Sequence, residues 1–151
     1  MKKLLLISLL STIGLFAQFH IGDTLPQITL KDQFDKEFTV SNQDTMIIMA
    51  FEKDISVAIS DYLKKQPSAF LETHHTKYIS DISSMPSLIT SMFAMPKMKK
   101  YPFSVMLIND DFGGQFDRQE GKITVYKLKK QKITDIQFIA PDTLPTLFEK
   151  Q

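Results

Sequence analysis

Residues 45–63, TMIIMAFEKDISVAISDYL, constrain this chain more than any other stretch. Residues 46–51 form an apolar run without alternation. Such runs fit strands buried on both faces of a mainly parallel sheet. Residues 52–54 end the run. Asp54 or Ser56 is placed to cap the helix that follows, by accepting a bond from its free backbone N–H groups. Ile55, Ile59, Tyr62 and Leu63 recur at helical spacing and give one apolar stripe. Lys64 and Lys65 set positive charge where the helix dipole favours it, and Pro67 stops the helix.

The flanking pattern extends this unit on both sides. Residues 27–30 and 36–40 are short β-prone runs around a polar turn containing Asp32 and Asp35, which predicts a hairpin. A turn of helix over residues 68–73 leads to a second strand at 77–82, parallel to the first after a helical crossover. A short helix follows at 87–95, interrupted by Pro96, and then a third strand at 103–109. Asp110, Asp111, Gly113 and Gly114 supply a turn. Residues 123–128 and 133–139 flank a polar turn and read as a second hairpin. Asp142 or Thr143 is placed to cap a last helix reaching Lys150.

At the N-terminus, Lys2 and Lys3 precede an uncharged, mostly apolar run over 4–16. That is the pattern of a secretory signal, with Ala17 offering the cut; the run is too short to span a bilayer comfortably. Residues 1–17 are thus expected to be a signal peptide and 18–151 one exported, periplasmic domain. An uncleaved inner-membrane anchor is the alternative. It would leave the domain on the same side of the membrane.

Composition excludes several functions. With 43% hydrophobic residues the chain can build a core. Lys+Arg 18 against Asp+Glu 17 supplies no basic footprint for nucleic acid. Zero cysteine rules out disulfides, thiol catalysis, iron–sulfur ligation and any cysteine-containing zinc site. It also fits export, because a thiol-free chain cannot mispair in an oxidising compartment.

A family resemblance begins at Gly22, Asp23, Leu25, Pro26, Ile28, Leu30 and Asp32. With FSVMLINDDFGG at 103–114, the closing pair over 123–139 and the last helix, the chain resembles alkyl hydroperoxide reductase/thiol-specific antioxidant proteins, peroxiredoxin-like members of the thioredoxin-like superfamily. The resemblance implies an α/β fold of three layers, a central mixed sheet with an N-terminal hairpin and flanking helices. It also implies where chemistry is missing. The family's reactive cysteine sits at the helix N-terminus after the first core strand, where the dipole stabilises a thiolate. Ser56 stands near that position and Ile59 near its partner's. The family's cis-proline falls near Gly121–Lys122, where there is no proline; the alternative alignment gives Pro102 that role.

The resemblance therefore implies a binding or accessory module without thiol redox activity, for a protein partner in the cell envelope. Its expected cleft is framed by Glu52, Asp54, Tyr101, Pro102, Gly121 and Lys122. Neither a cofactor nor a catalytic residue is expected. Two other readings stand beside it. Met92, Met95 and Met98, with Met85 upstream, are soft thioether ligands of the kind that select Cu(I), though methionine also fills irregular cores. Ser56 is a nucleophile only if a base lies nearby, and His20, His74 and His75 show no local triad spacing with it. Adjacent His74 and His75 would point to opposite faces of a strand and cannot readily chelate one metal. Lys97, Lys99 and Lys100, with Lys127, Lys129, Lys130 and Lys132, read as solvated turns or as a basic face for anionic lipid or an acidic partner.

Overall fold

The computed structural model describes residues 17–149. Apart from Ala17, the expected signal segment lies outside these residues, as does Lys150.

The predicted strand β3, Met46–Ala50, is the centre of a five-stranded mixed sheet ordered β5-β4-β3-β6-β7. β4 (Thr76–Asp81) and β5 (Met106–Ile108) run parallel to it; β6 (Ile123–Lys129) pairs with it antiparallel, and β7 (Lys132–Ile139) pairs antiparallel with β6. All five β3 residues are fully buried because the strand feeds two cores. Met46, Ile48 and Ala50 point to one face, where they meet Ile55, Ile59 and Leu63 of helix α1 (Lys53–Leu63). Ile47 and Met49 point to the other, against Phe19, Leu25, Ile28, Val40 and Phe116. Each large apolar side chain so buried contributes about 1.5–3 kcal/mol, which is why an unalternating run is stable only in the sheet's middle.

The helical face also carries α2 (Phe70–Thr73) and the closing helix α5 (Thr146–Glu149), where Tyr62, Phe70, His74 and Phe148 form one aromatic cluster. The opposite face is covered by the N-terminal segment and the hairpin β1–β2 (Thr29–Lys31 and Glu37–Thr39). The same segment shields both sheet edges. Thr24 bridges to Lys132 on β7, and Asp32 bridges to Met106 on β5, which blunts edges otherwise open to further pairing.

A buried polar knot locks the hairpin in place. Gln33 is fully buried; its Nε2 donates to Phe103 O at 2.7 Å and Met98 O at 3.3 Å, and its Oε1 accepts Val105 N–H at 2.8 Å. Asp32 accepts the Ser104 hydroxyl at 2.9 Å and the N–H groups of Phe34 and Lys36.

Five local expectations are corrected. Neither Asp54 nor Ser56 caps α1: the N-cap is Glu52, so both lie inside the helix. Pro96 does not interrupt the next helix. α3 (Ser87–Ile89) passes through a π turn (Thr90–Ala94) into α4 (Met95–Met98), with Pro96 in the first turn of α4, where a missing N–H costs little. The third strand is shorter than 103–109, since Gln33 takes the Val105 N–H and the Phe103 carbonyl away from the ladder. Asp110 caps a 3₁₀ turn, Asp111–Gln115, in place of a simple β-turn. Pro141–Thr143 is a 3₁₀ turn preceding α5, so Asp142 and Thr143 lie in that turn and do not cap the last helix.

Candidate functional site

The site follows from how the chain leaves β3. Glu52 is extended, with φ −129° and ψ 148°, yet its carboxylate does not cap α1. It reaches across to accept the N–H of Gly121 at 2.8 Å. Gly121 has φ +70°, a left-handed conformation natural to glycine. Beside it, the Arg118 guanidinium lies 5.5 Å from the centre of the Phe51 ring. The loops after β3 and before β6 are therefore tied together. Gly121 and Lys122 do not line the groove that opens beside α1.

That cavity is a groove of about 620 Å³ between α1 and the helical arm of α3, the π turn and α4. Lys53, Ser56 and Val57 line it from α1; Ile89, Phe93, Ala94 and Lys97 line it from the arm. Phe51, Glu52, Ser80, Asp81, Met98 and Tyr101 also line it. A second groove of about 810 Å³ lies on the arm's far side, against the β1–β2 hairpin; Ser87, Thr90, Ser91 and Met95 line it. The arm is thus a fin between two grooves.

Ser56 is the fourth residue of α1 and is turned toward β4. Its hydroxyl lies 3.0 Å from the Tyr78 hydroxyl, which also donates to the Ser56 carbonyl at 3.3 Å, and Ser80 Oγ lies 3.5 Å from Ser56 Oγ. Burial pushes the Tyr78 phenol up to about 12, against the opposing pull of the neighbouring serine hydroxyls, Ser56 first. A phenol so held stays protonated at neutral pH and cannot serve as the base that activates a serine. No histidine lines the groove. Ile59 is fully buried beneath the sheet. The two positions near which the family's cysteines fall are thus a hydrogen-bonded hydroxyl and a core aliphatic.

Of the other residues singled out in sequence, Glu52 and Tyr101 line the groove, whereas Asp54 and Pro102 are exposed outside it. The described residues contain no cis peptide bond, and the peptide before Pro102 is trans. His20 pairs with Asp23 in solvent, His74 packs on Phe70 and Phe148, and His75 sits exposed with φ 46°. Met92 is exposed and lines neither groove, Met95 lines the hairpin groove, and Met98 is buried and lines the other. The lysines of the arm and those of the β6–β7 hairpin stand on separate elements. The arm's own apolar positions were the missed signal. Leu88, Ile89, Met92 and Phe93 repeat at i, i+1, i+4 and i+5, a helical stripe with no buried partner.

The sheet order, the N-terminal hairpin and a helix leaving the central strand define a thioredoxin-like α/β fold, here without cysteine. Solved structures with that fold superpose over most of the chain. The peroxidoxin BcpB of Mycobacterium tuberculosis matches with TM-score 0.56 at 16% identity, over 87% of this chain and 99% of its own. The thioredoxin domain of a thiol-disulfide oxidoreductase from Bacteroides vulgatus gives 0.55 at 14%, over 87% and 98%. A putative protein disulfide isomerase from Bacteroides thetaiotaomicron gives 0.54 at 15%, over 87% of each chain. Identities this low establish the fold alone. No protein-family model matches the sequence, and no curated protein matches it.

Proposed function

We propose that this chain is an exported binding module of the cell envelope that holds a polypeptide segment of a protein partner in the groove between α1 and the arm. One observation carries the reading. Near the place where the resemblance puts the family's thiol, Ser56 is bonded to Tyr78, on the wall of an open groove lined by apolar, lysine and carboxylate side chains. Without a thiol the chain cannot exchange disulfides or reduce peroxides through cysteine. What the groove retains is shape, exposed apolar surface from Ile89 and Phe93, and charge of both signs, at Lys53 and Lys97 and at Glu52 and Asp81. Such concave, largely apolar sites with a few polar groups are typical binding sites. The signal-like pattern over residues 1–17 and the thiol-free composition support export.

The test is site-directed photo-crosslinking in cells. A photoreactive residue at Val57, in the groove, should capture a discrete envelope protein, and one at Lys129, on the distant hairpin, should not. Equal capture at both positions, or turnover of a disulfide or hydroperoxide substrate by the purified chain, refutes the reading. Fractionation of the same cells tests export directly.

A further inference from the structure

The arm carries a second surface that the groove does not use. Leu88 and Met92 line neither groove; they form the crest of the fin, 63% and 59% exposed. Ile89 and Phe93, which also line the α1 groove, rise beside them, 43% and 63% exposed. Scattered exposed hydrophobics need no explanation, but four on one helical ridge do.

The arm's own charged side chains have one sign, while Asp35 and Glu37 line the groove on one side of it and Glu52 and Asp81 the groove on the other. Between Asp81 and Asp110 the chain has no acidic residue, and its charged residues there are Lys97, Lys99 and Lys100. At about 1.5 Å of rise per residue, Lys97 stands roughly 8 Å along the helix axis from Met92. All three lysines are exposed. Lys64 and Lys65 at the end of α1 extend the cluster: the Lys64 amine lies 5.4 Å from the centre of the Tyr101 ring. The carboxylate facing this cluster, Asp61, is paired with Lys64 at 2.7 Å. Lys64, Lys97 and Lys65 all act to hold its carboxyl below the usual range.

We infer that the arm docks this protein on an anionic lipid surface, with Leu88 and Met92 entering the headgroup boundary and the lysines facing lipid phosphates. A ridge of apolar side chains flanked by lysines is what interfacial membrane binding requires, since buried apolar area and attraction to anionic lipid add. A convex crest suits a fluid interface, which closes around it; a folded acidic protein would need a matching pocket. The inference is independent of what the groove binds, because Leu88, Met92, Lys99 and Lys100 do not line the groove.

The chain contains no tryptophan, so Met92→Trp reports on the crest alone. The full-length variant is mixed with vesicles of phosphatidylcholine, with or without phosphatidylglycerol. The expected result is a blue shift of emission, with quenching by brominated lipid, on the anionic vesicles only. Adding Lys99→Gln and Lys100→Gln should weaken partitioning roughly 25-fold, at about fivefold per lysine. The apolar N-terminal run can bring the chain to vesicles by itself, but it would leave a tryptophan on the crest unmoved. An unshifted emission overturns the inference, and so does an equal shift on zwitterionic vesicles. A shift produced only by poly-glutamate assigns the ridge to an acidic polypeptide. A shift that grows with protein concentration alone assigns it to a second copy. Either of these also overturns the inference.

Discussion

The Glu52 carboxylate accepts the Gly121 N–H across 69 residues of sequence, at 2.8 Å. This bond fixes the loop after the central strand to the loop before β6. Removing it with Glu52→Ala should cost about 1 kcal/mol, the usual net worth of one hydrogen bond at an exposed site. Amide exchange at Gly121 should rise in step, while Glu52→Gln, which keeps an acceptor, should stay near wild type. Gly121 exchange that is indifferent to Glu52→Ala refutes the tie.

Tyr78 predicts an alkaline transition. Its phenol is raised from 10.0 to about 12 by burial, so the folded state holds the proton more tightly than the unfolded chain. The stability linked to that proton is whole below about pH 10 and is lost as pH climbs toward 12, a loss of roughly 2–3 kcal/mol at most. Tyr126 is displaced in the same direction, to about 12, also by burial. Denaturant melts across this window should fall less steeply for Tyr78→Phe than for wild type. Parallel curves would disprove the linkage.

Gln33 should be among the least replaceable polar residues. Gln33→Leu keeps an apolar volume but strands the Val105 N–H and the Phe103 carbonyl in the interior. An unsatisfied buried group costs about 1–3 kcal/mol, so a loss of about 2 kcal/mol or more is expected by chemical denaturation. Asp35→Asn on the same exposed turn, which keeps a residue tolerant of its φ of 62°, should change stability by less than about 0.5 kcal/mol.

Gly113 packs directly under the end of β4. A methyl group there would run into the Asp81 carboxylate, which is held in place by the N–H and hydroxyl of Ser83. Gly113→Ala should therefore destabilise the protein by about 1–3 kcal/mol. Asp81→Ala in the same chain should restore most of that loss. Additive effects of the two changes would show that the contact does not limit the site.

Much of the fold could be read from local pattern. β3 announces itself because a strand feeding two cores cannot alternate, and α1 because Ile55, Ile59 and Leu63 fall on one stripe. The β6–β7 pair shows for a similar reason, with β-prone runs either side of a polar turn. What could not be read depends on partners remote in sequence. Gln33 looks like any turn residue until Phe103 and Val105 arrive, and Ser56 looks like a helix cap until Tyr78 lies beneath it. Pro96 reads as a breaker because its tolerance depends on the π turn that delivers it to the first turn of α4. The groove was hidden for the same reason: its two walls are 30 or more residues apart, and only the sheet brings them together.

Ile82 and Met85 line both grooves at once, at the root of the fin. A thin partition of this kind makes its two sides thermodynamic neighbours. Whatever presses on it from one side changes the room on the other, and the influence runs equally in both directions. An occupant of the hairpin groove that displaced Met85 would thus change the room in the α1 groove as well.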